Sequence, residues 1–294
     1  EALELAEEVG FPLVIRPSYV LGGQGMEIVG SIEEVERYME RAVKVSGKNP
    51  VLLDRYLKGA IEIDVDALCD GKDVYIAGIM EHVEEAGIHS GDSASVLPPH
   101  SLPYKTIREL ENQSIKLAKA LKVKGLMNVQ FAVKMNKHTG EYDMYILEVN
   151  PRASRTVPFV AKATNVPVAK IAARIMAGEQ LSDFRDQLTG MASDHTAVKA
   201  PVFPFNRFPG TDVILGPEMK STGEVMGLDA DFAQAFAKSQ IAAGNVLPTE
   251  GRVFLSVKDS DKEALIPIAK ELSEIGFDLV ATGGTCTKLQ EAGL

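Results

Sequence analysis

The sequence predicts a mixed α/β fold of α+β character, followed by the opening of a βαβα unit. Three observations predict it. Short apolar runs alternate with segments of helical period, two pairs of strand candidates are joined by tight glycine turns, and a fresh βαβα pattern begins near Gly251. Local hairpins and crossover helices together argue against a purely parallel sheet.

The chain opens in a helical pattern (Leu3, Leu5, Ala6, Val9), so its start reads as cut. Phe11, Leu13, Val14 and Ile15 read as a buried strand leading into a glycine loop. A helix follows with Ile32, Val35, Tyr38, Met39, Ala42 and Val43 on one face, and Ser31 with Glu34 offers a capping box. Strands are expected over 51–57, 60–68 and 74–80, the last two joined by a turn at 69–73. After a Gly/Ser/Pro-rich loop come a helix near 107–121 and strands at 127–134 and 144–149, joined by a turn at 136–140. Helices are expected at 157–163 and 168–177. From Gly178 the chain reads as irregular until Asp229 opens a helix to Ala243. The last pattern is strand 253–257, helix 261–275, strand 277–282 and helix 285–292, which stops before a sheet is complete. Three parts result: a first domain at 1–178, a connecting region at 179–250, and the start of another domain at 251–294.

The length of 294 residues suits about two domains. A net charge of −10 argues against general affinity for nucleic acid or an anionic membrane, so an anionic substrate needs local cations, N–H groups or metal ions. Cys69 and Cys286 are too few and too far apart for a disulfide framework or a metal site, which points to a reducing, cytoplasmic compartment. No apolar run approaches the roughly 20 residues that span a bilayer, and the sequence reads as carrying no signal peptide, starting on Glu1 rather than Met.

Four constellations could carry chemistry. Arg16 precedes Gly22, Gly23 and Gly25, a loop that either cradles phosphate with backbone N–H groups or is a structural turn; it lacks the Walker pattern. Glu148 and Asn150, two apart on a strand, share a face, and Gln130 on the neighbouring strand can join them as hard oxygen ligands for Mg²⁺. Arg152 and Arg155 follow, suited to forked contact with phosphate or carboxylate; the bland alternative is a solvated strand end. His89, between glycines in residues 86–93, either meets a ligand or sits in a wet loop. Glu62, Asp64 and Asp66 alternate with Ile61, Ile63 and Val65, and for Asp64 and Asp66 the favoured reading is the wet face of a half-buried strand.

In this order the stretches VIRPSYVLGGQGMEIV, EIDVDALCDG, GIHSGDSASVLP, GLMNVQFAVK, ILEVNPRASRTVPFVAKATNVP, PFNRFPGTDVILGPEMKSTGEVMG and ATGGT resemble the ATP-grasp fold, and specifically the carbamoyl phosphate synthetase large-subunit family. The HSGDSASVLP form is similar to the second synthetase half, which phosphorylates carbamate. The resemblance implies ATP and Mg²⁺ (or Mn²⁺) as cofactors and a small glutaminase subunit supplying ammonia, in pyrimidine and arginine biosynthesis. It implies that Arg16 contacts ATP phosphates, Arg55 and Leu57 line the base, Glu62 holds the ribose, and Gly87, Ile88, His89 and Ser90 close the nucleotide pocket. Gln130, Glu148 and Asn150 would bind the divalent ions, with Gln130 and Glu148 thereby also contacting the nucleotide, and Arg152 and Arg155 would steady the anionic acceptor. The tail is similar to the start of a methylglyoxal-synthase-like regulatory domain, which implies the first part of a doubly wound α/β fold. Ser256, Lys262, Thr282 and Thr285 there match positions for an allosteric nucleotide, and a phosphate could rest at the helix after Gly283. Rival readings are another ATP-grasp ligase or carboxylase, and a non-catalytic nucleotide-sensing module.

Overall fold

The computed structural model describes residues 2–18, 25–46, 50–188 and 194–294. The chain divides into two compact units, Glu1–Asn245 and Val246–Leu294.

The first unit begins with helix α1 (Ala2–Val9) and a small antiparallel sheet of β1 (Leu13–Pro17), β2 (Glu27–Val29) and β3 (Val51–Arg55) in the order β2-β1-β3. Helix α2 (Ile32–Ser46) covers it, and Leu13, Ile15, Val29, Val35 and Tyr38 are buried together with Ala6. The capping pair at its start is modified: Ser31 Oγ accepts from Glu34 N–H at 3.4 Å, but the Glu34 carboxylate reaches past Ser31 to Gly30 N–H at 2.7 Å. Gly22 and Gly23 of the glycine loop, and the side chains of Ala42 and Val43, lie outside the described residues.

A seven-stranded sheet follows. Its strands are β4 (Ile61–Asp70), β5 (Val74–His82), β6 (Ser95–Leu97), β7 (Lys124–Met135), β8 (Tyr142–Asn150), β9 (Thr196–Val202) and β10 (Gly223–Asp229), in the order β10-β9-β6-β5-β4-β7-β8. All its pairings are antiparallel. Helix α3 (Tyr104–Ala120) lies on one face, where Ile63, Val65, Ala67, Cys69, Ile79, Val129 and Phe131 meet Leu110 and Ala118. On the opposite face Leu68, Met80, Leu97 and Ala197 pack under α4 (Val157–Thr164) and α5 (Val168–Met176). Helix α6 (Phe232–Ala242) sits against β9 and β10, with Asp231 capping it by accepting from Gln234 N–H at 2.9 Å.

The expected hairpins form, with longer strands than the apolar runs alone suggest. The irregular reading of 178–229 is corrected by β9 and β10. Pro201 and a buried Lys199 interrupt the apolar pattern of β9, and two glycines weaken that of β10. Gly227 is required there, since a Cβ would lie 2.0 Å from the Ala235 carbonyl oxygen of α6. The short β2 and β6 had no sequence expectation.

The second unit is a βαβα run: β11 (Arg252–Leu255), α7 (Lys262–Glu274), β12 (Asp278–Ala281) and α8 (Gly283–Glu291). Its two strands pair in parallel, and Leu255, Leu265, Ala269 and Leu289 form a small core. Among the described residues no helix is long and apolar enough to cross a membrane.

Candidate active site

The face of the seven-stranded sheet that α4 and α5 cover at one end carries polar side chains at the other. On β4 these are Glu62, Asp64 and Asp66; on β5, His82; on β7, Asn128 and Gln130; on β8, Glu148 and Asn150. Register brings them together: Glu62, Asp64 and Asp66 stand opposite Ala132, Gln130 and Asn128, and Gln130 and Asn128 stand opposite Glu148 and Asn150.

Asp64 and Asp66 do not face water. They are 2% and 1% exposed, because the loops around residues 84–93 and 154–156 cover this end of the sheet. Buried carboxylates must be hydrogen-bonded, and these are. Asp64 accepts from His82 Nε2 at 2.8 Å, Asn128 Nδ2 at 3.0 Å and Gln130 Nε2 at 3.2 Å. Asp66 accepts from Asn128 Nδ2 at 2.9 Å, Ser154 Oγ at 2.8 Å and Thr156 Oγ1 at 2.6 Å. Burial works to raise the Asp64 carboxyl, but its donors, His82 foremost, hold it below the ordinary aspartate value. For Asp66 burial wins and pushes it up to about 6.

Glu62 lies at the edge of this array. It accepts from Gly87 N–H at 2.8 Å, and His82 Nδ1 is 3.7 Å from its other oxygen. Burial raises its carboxyl, with His82 and the Gly87 N–H opposing. Gly87 has φ +100°, and a Cβ would lie 2.9 Å from the Tyr56 ring and 3.0 Å from Ile28, so the loop passes against both. Leu57 packs nearby with Ala60, Ala86 and Ala132.

Half-buried His89 donates its backbone N–H to the Gly216 carbonyl at 2.8 Å, while its ring Nδ1 accepts from Gly91 N–H at 3.0 Å. Burial, then the Arg155 charge, keep its imidazole below the ordinary value despite Asp92, Asp64 and Glu148, so the ring is neutral at pH 7. The half-buried Ile88 precedes it. The Ser90 carbonyl accepts from Lys199 Nζ at 3.0 Å. Asp92, fully buried, accepts from Lys220 and Ser221 N–H groups, each at 2.8 Å.

On β8 and the loop after it, Asn150 Nδ2 donates to Glu148 Oε1 at 2.6 Å, and Arg152 donates to Asn150 Oδ1 at 3.3 Å and to the Ala153 carbonyl at 3.0 Å. Exposed Arg155 approaches Met219 Sδ at 2.8 Å. Gln130, Glu148 and Asn150 therefore lie side by side. Because the Gln130 amide nitrogen is engaged by Asp64, its carbonyl oxygen is the atom that can present as a ligand. Among the described residues no three His, Cys, Asp or Glu side chains gather as a metal cluster. One carboxylate and two amide oxygens are nonetheless hard donors of the kind Mg²⁺ or Mn²⁺ takes when phosphates complete the shell.

Arg16 and Arg55 belong to the small sheet. Arg16 pairs with Asp54 at 3.0 Å, and Arg55 is exposed at the end of β3, opposite Leu13. Sequence reasoning missed His82, Asn128, Ser154, Thr156 and Lys199. A lysine inside an apolar strand, and amides on β7 in step with the acids of β4, were the available signals.

In the second unit Thr282 Oγ1 lies 3.3 Å from both Ser256 Oγ and Thr285 Oγ1, and Lys262 Nζ lies 2.8 Å from where a Gly284 Cβ would be. These four residues therefore meet at the N-terminus of α8.

Solved structures with this architecture define the fold class. A biotin carboxylase–βγ-ATP complex from Campylobacter jejuni superposes with a TM-score of 0.64 at 18% identity, covering 84% of this chain and 60% of that one. The biotin carboxylase domain of the Hydrogenobacter thermophilus 2-oxoglutarate carboxylase, with MgADP, ADP and bicarbonate, gives 0.58 at 21% identity over 77% and 55%. The first unit has the ATP-grasp fold of those ligases.

The family carbamoyl-phosphate synthase L chain, ATP binding domain, matches residues 1–184, and an MGS-like domain matches 264–294. The carbamoyl phosphate synthase large chains of Ralstonia nicotianae and Pasteurella multocida are each 56% identical over the whole chain, and that of Methanobrevibacter smithii is 55% identical over 97% of it. The chain belongs to the carbamoyl phosphate synthase large-chain family. It spans about a quarter of the length of those relatives, 26–27%.

Proposed function

We propose that this chain is the carbamate-phosphorylating part of a glutamine-hydrolysing carbamoyl phosphate synthase, transferring the ATP γ-phosphoryl group to carbamate. The observation that carries the reading is the meeting of Gln130, Glu148 and Asn150 with Arg152 at the open end of the buried acidic array. Gln130, Glu148 and Asn150 would hold Mg²⁺ or Mn²⁺, which would supply the positive charge that phosphoryl transfer chiefly demands.

The chain's own residues supply the rest. Glu148 and Asn150 present oxygens from one strand face, and Asp64 turns the Gln130 carbonyl to the same side. Arg152 and Arg155 offer fixed positive charge to the acceptor anion. Glu62 is offered to the ribose hydroxyls, Leu57 and Arg55 to the base, and Arg16 to the phosphates. Residues 87–90 close over the nucleotide, their position held by the Lys199, Asp92 and Glu62 bonds. Because Nδ1 accepts from Gly91 N–H, the neutral His89 ring carries its proton on Nε2, which can donate to a ligand without adding charge. The reading includes a glutaminase partner supplying ammonia, a reducing cytoplasmic compartment, and an allosteric nucleotide at Ser256, Lys262, Thr282 and Thr285. Residues 1–178, 179–250 and 251–294 would be the synthetase domain, its completing segment and the start of the regulatory domain.

The test runs the full-length protein backwards, with carbamoyl phosphate and MgADP, and follows ATP. Glu148→Gln should slow ATP formation about 10²–10³-fold, the scale of losing one transition-state charge contact. ATP formed only from another acyl phosphate would instead identify a different ATP-grasp ligase. Nucleotide binding without transfer would identify a sensor.

A further inference from the structure

Asp66 lies beneath the loop that follows β8, and its two oxygens grip that loop on both sides of Arg155. Ser154 Oγ donates to Oδ1 at 2.8 Å and Thr156 Oγ1 donates to Oδ2 at 2.6 Å. Asn128 Nδ2 holds Oδ1 from below at 2.9 Å. Asp66, Asn128 and Thr156 are all buried, whereas Arg155, between the two gripped residues, is exposed.

A purely structural role explains this poorly. Thr156 is the N-cap of α4, where a hydroxyl ordinarily accepts from the helix's own N–H groups, yet it makes no such bond and is committed to Asp66. Leu68, two residues along on the same face of β4, fills its place with apolar contacts alone, which avoids the cost of burying a carboxylate. Asp66 also makes no bond to Gln130, Glu148 or Asn150; the Gln130 amide is oriented by Asp64 instead. The two acids of β4 thus serve different customers.

We infer that Asp66 is a positioning residue for the acceptor side of the site: through Ser154 and Thr156 it fixes the backbone that aims Arg155 at the anion receiving the phosphoryl group. This rests on the function proposed above and deepens it. Loosening the grip misaims Arg155 while leaving the nucleotide and cation ligands in place, so the two ligands respond differently.

The experiment uses the full-length protein with Thr156→Val, Ser154→Ala and the restoring variant Thr156→Ser. Calorimetric titration measures binding of carbamoyl phosphate and of MgADP separately, and steady-state ATP formation gives KM for each. Thr156→Val and Ser154→Ala should each weaken carbamoyl phosphate binding and raise its KM about tenfold or more, with MgADP changed less than about twofold, given how steeply reactivity falls with misplacement. Thr156→Ser should behave as wild type. Equal loss of both ligands would show a merely structural role and overturn the inference, as would unchanged carbamoyl phosphate affinity. If Thr156→Val does not fold, Ser154→Ala and Asp66→Asn give the same reading. A wild-type protein that neither binds carbamoyl phosphate nor forms ATP overturns the parent reading and this one with it, and does so before any variant is compared.

Discussion

Along β4, Ile63, Val65, Ala67 and Cys69 turn to helix α3 and make an apolar contact, whereas Glu62, Asp64 and Asp66, one residue out of step, turn to His82, Asn128, Gln130, Ser154 and Thr156. Both faces are out of water over most of the strand. The apolar face stabilises in proportion to the area it hides and is indifferent to direction. The polar face gains little net energy for the desolvation it demands, but every bond in it has a direction. One face holds the sheet together; the other decides where groups on β7 and the loop after β8 stand.

Breaking the apolar face should cost most. Phe131→Ala empties a fully buried position on β7 and should lower unfolding free energy by about 3–5 kcal/mol in urea titrations. Since no ionisable group is lost, that loss should be constant across pH.

The polar face should break differently, in its pH dependence. Burial, with the Asp64 charge adding and the Thr156, Asn128 and Ser154 donors opposing, lifts the Asp66 carboxyl from 3.8 to about 6. The native protein therefore keeps this proton to higher pH than the unfolded chain does. Its contribution to stability is complete below about pH 4 and is lost as pH rises through about 6, a change on the order of 3 kcal/mol. Glu62, also raised, acts in the same direction, while Asp64, lowered, acts in the other. Asp66→Asn should flatten the wild-type curve over this window, measured as urea midpoints in steps of pH. A curve unchanged by the substitution would remove the titration from Asp66.

The smallest effect sharpens the contrast. Ser114 is a buried polar residue of α3 on the apolar side, and its hydroxyl donates to the Leu110 carbonyl of its own helix at 2.8 Å. Ser114→Ala removes a self-contained bond and should change stability by no more than about 1 kcal/mol. A larger loss would mean that this face also depends on directed bonds.

The same contrast explains what the sequence made legible. The β4–β5 and β7–β8 hairpins could be read because glycine turns join neighbouring apolar runs. Gln130, Glu148 and Asn150 could be grouped because they sit on strands joined by one short turn. Asp64 and Asp66 could not be read correctly from alternation, since whether a strand face is wet depends on what covers it. Their cover includes Thr156, 90 residues further along. Lys199 and β9 were hidden for a related reason: β9 pairs with the three-residue β6, about a hundred residues away, and proline and lysine break its pattern.

The Asp92 contacts with Lys220 and Ser221, 128 and 129 residues downstream, have a consequence for how the chain is made. During synthesis the loop bearing His89 leaves the ribosome long before the N–H groups that anchor it. The β4–β5 hairpin can form early from neighbouring residues, but this loop must wait until β9 and the segment ahead of β10 have emerged. The loop bearing His89 thus takes shape later than the hairpin beside it, and a nascent chain halted before Ser221 would carry a finished hairpin beneath an unanchored loop.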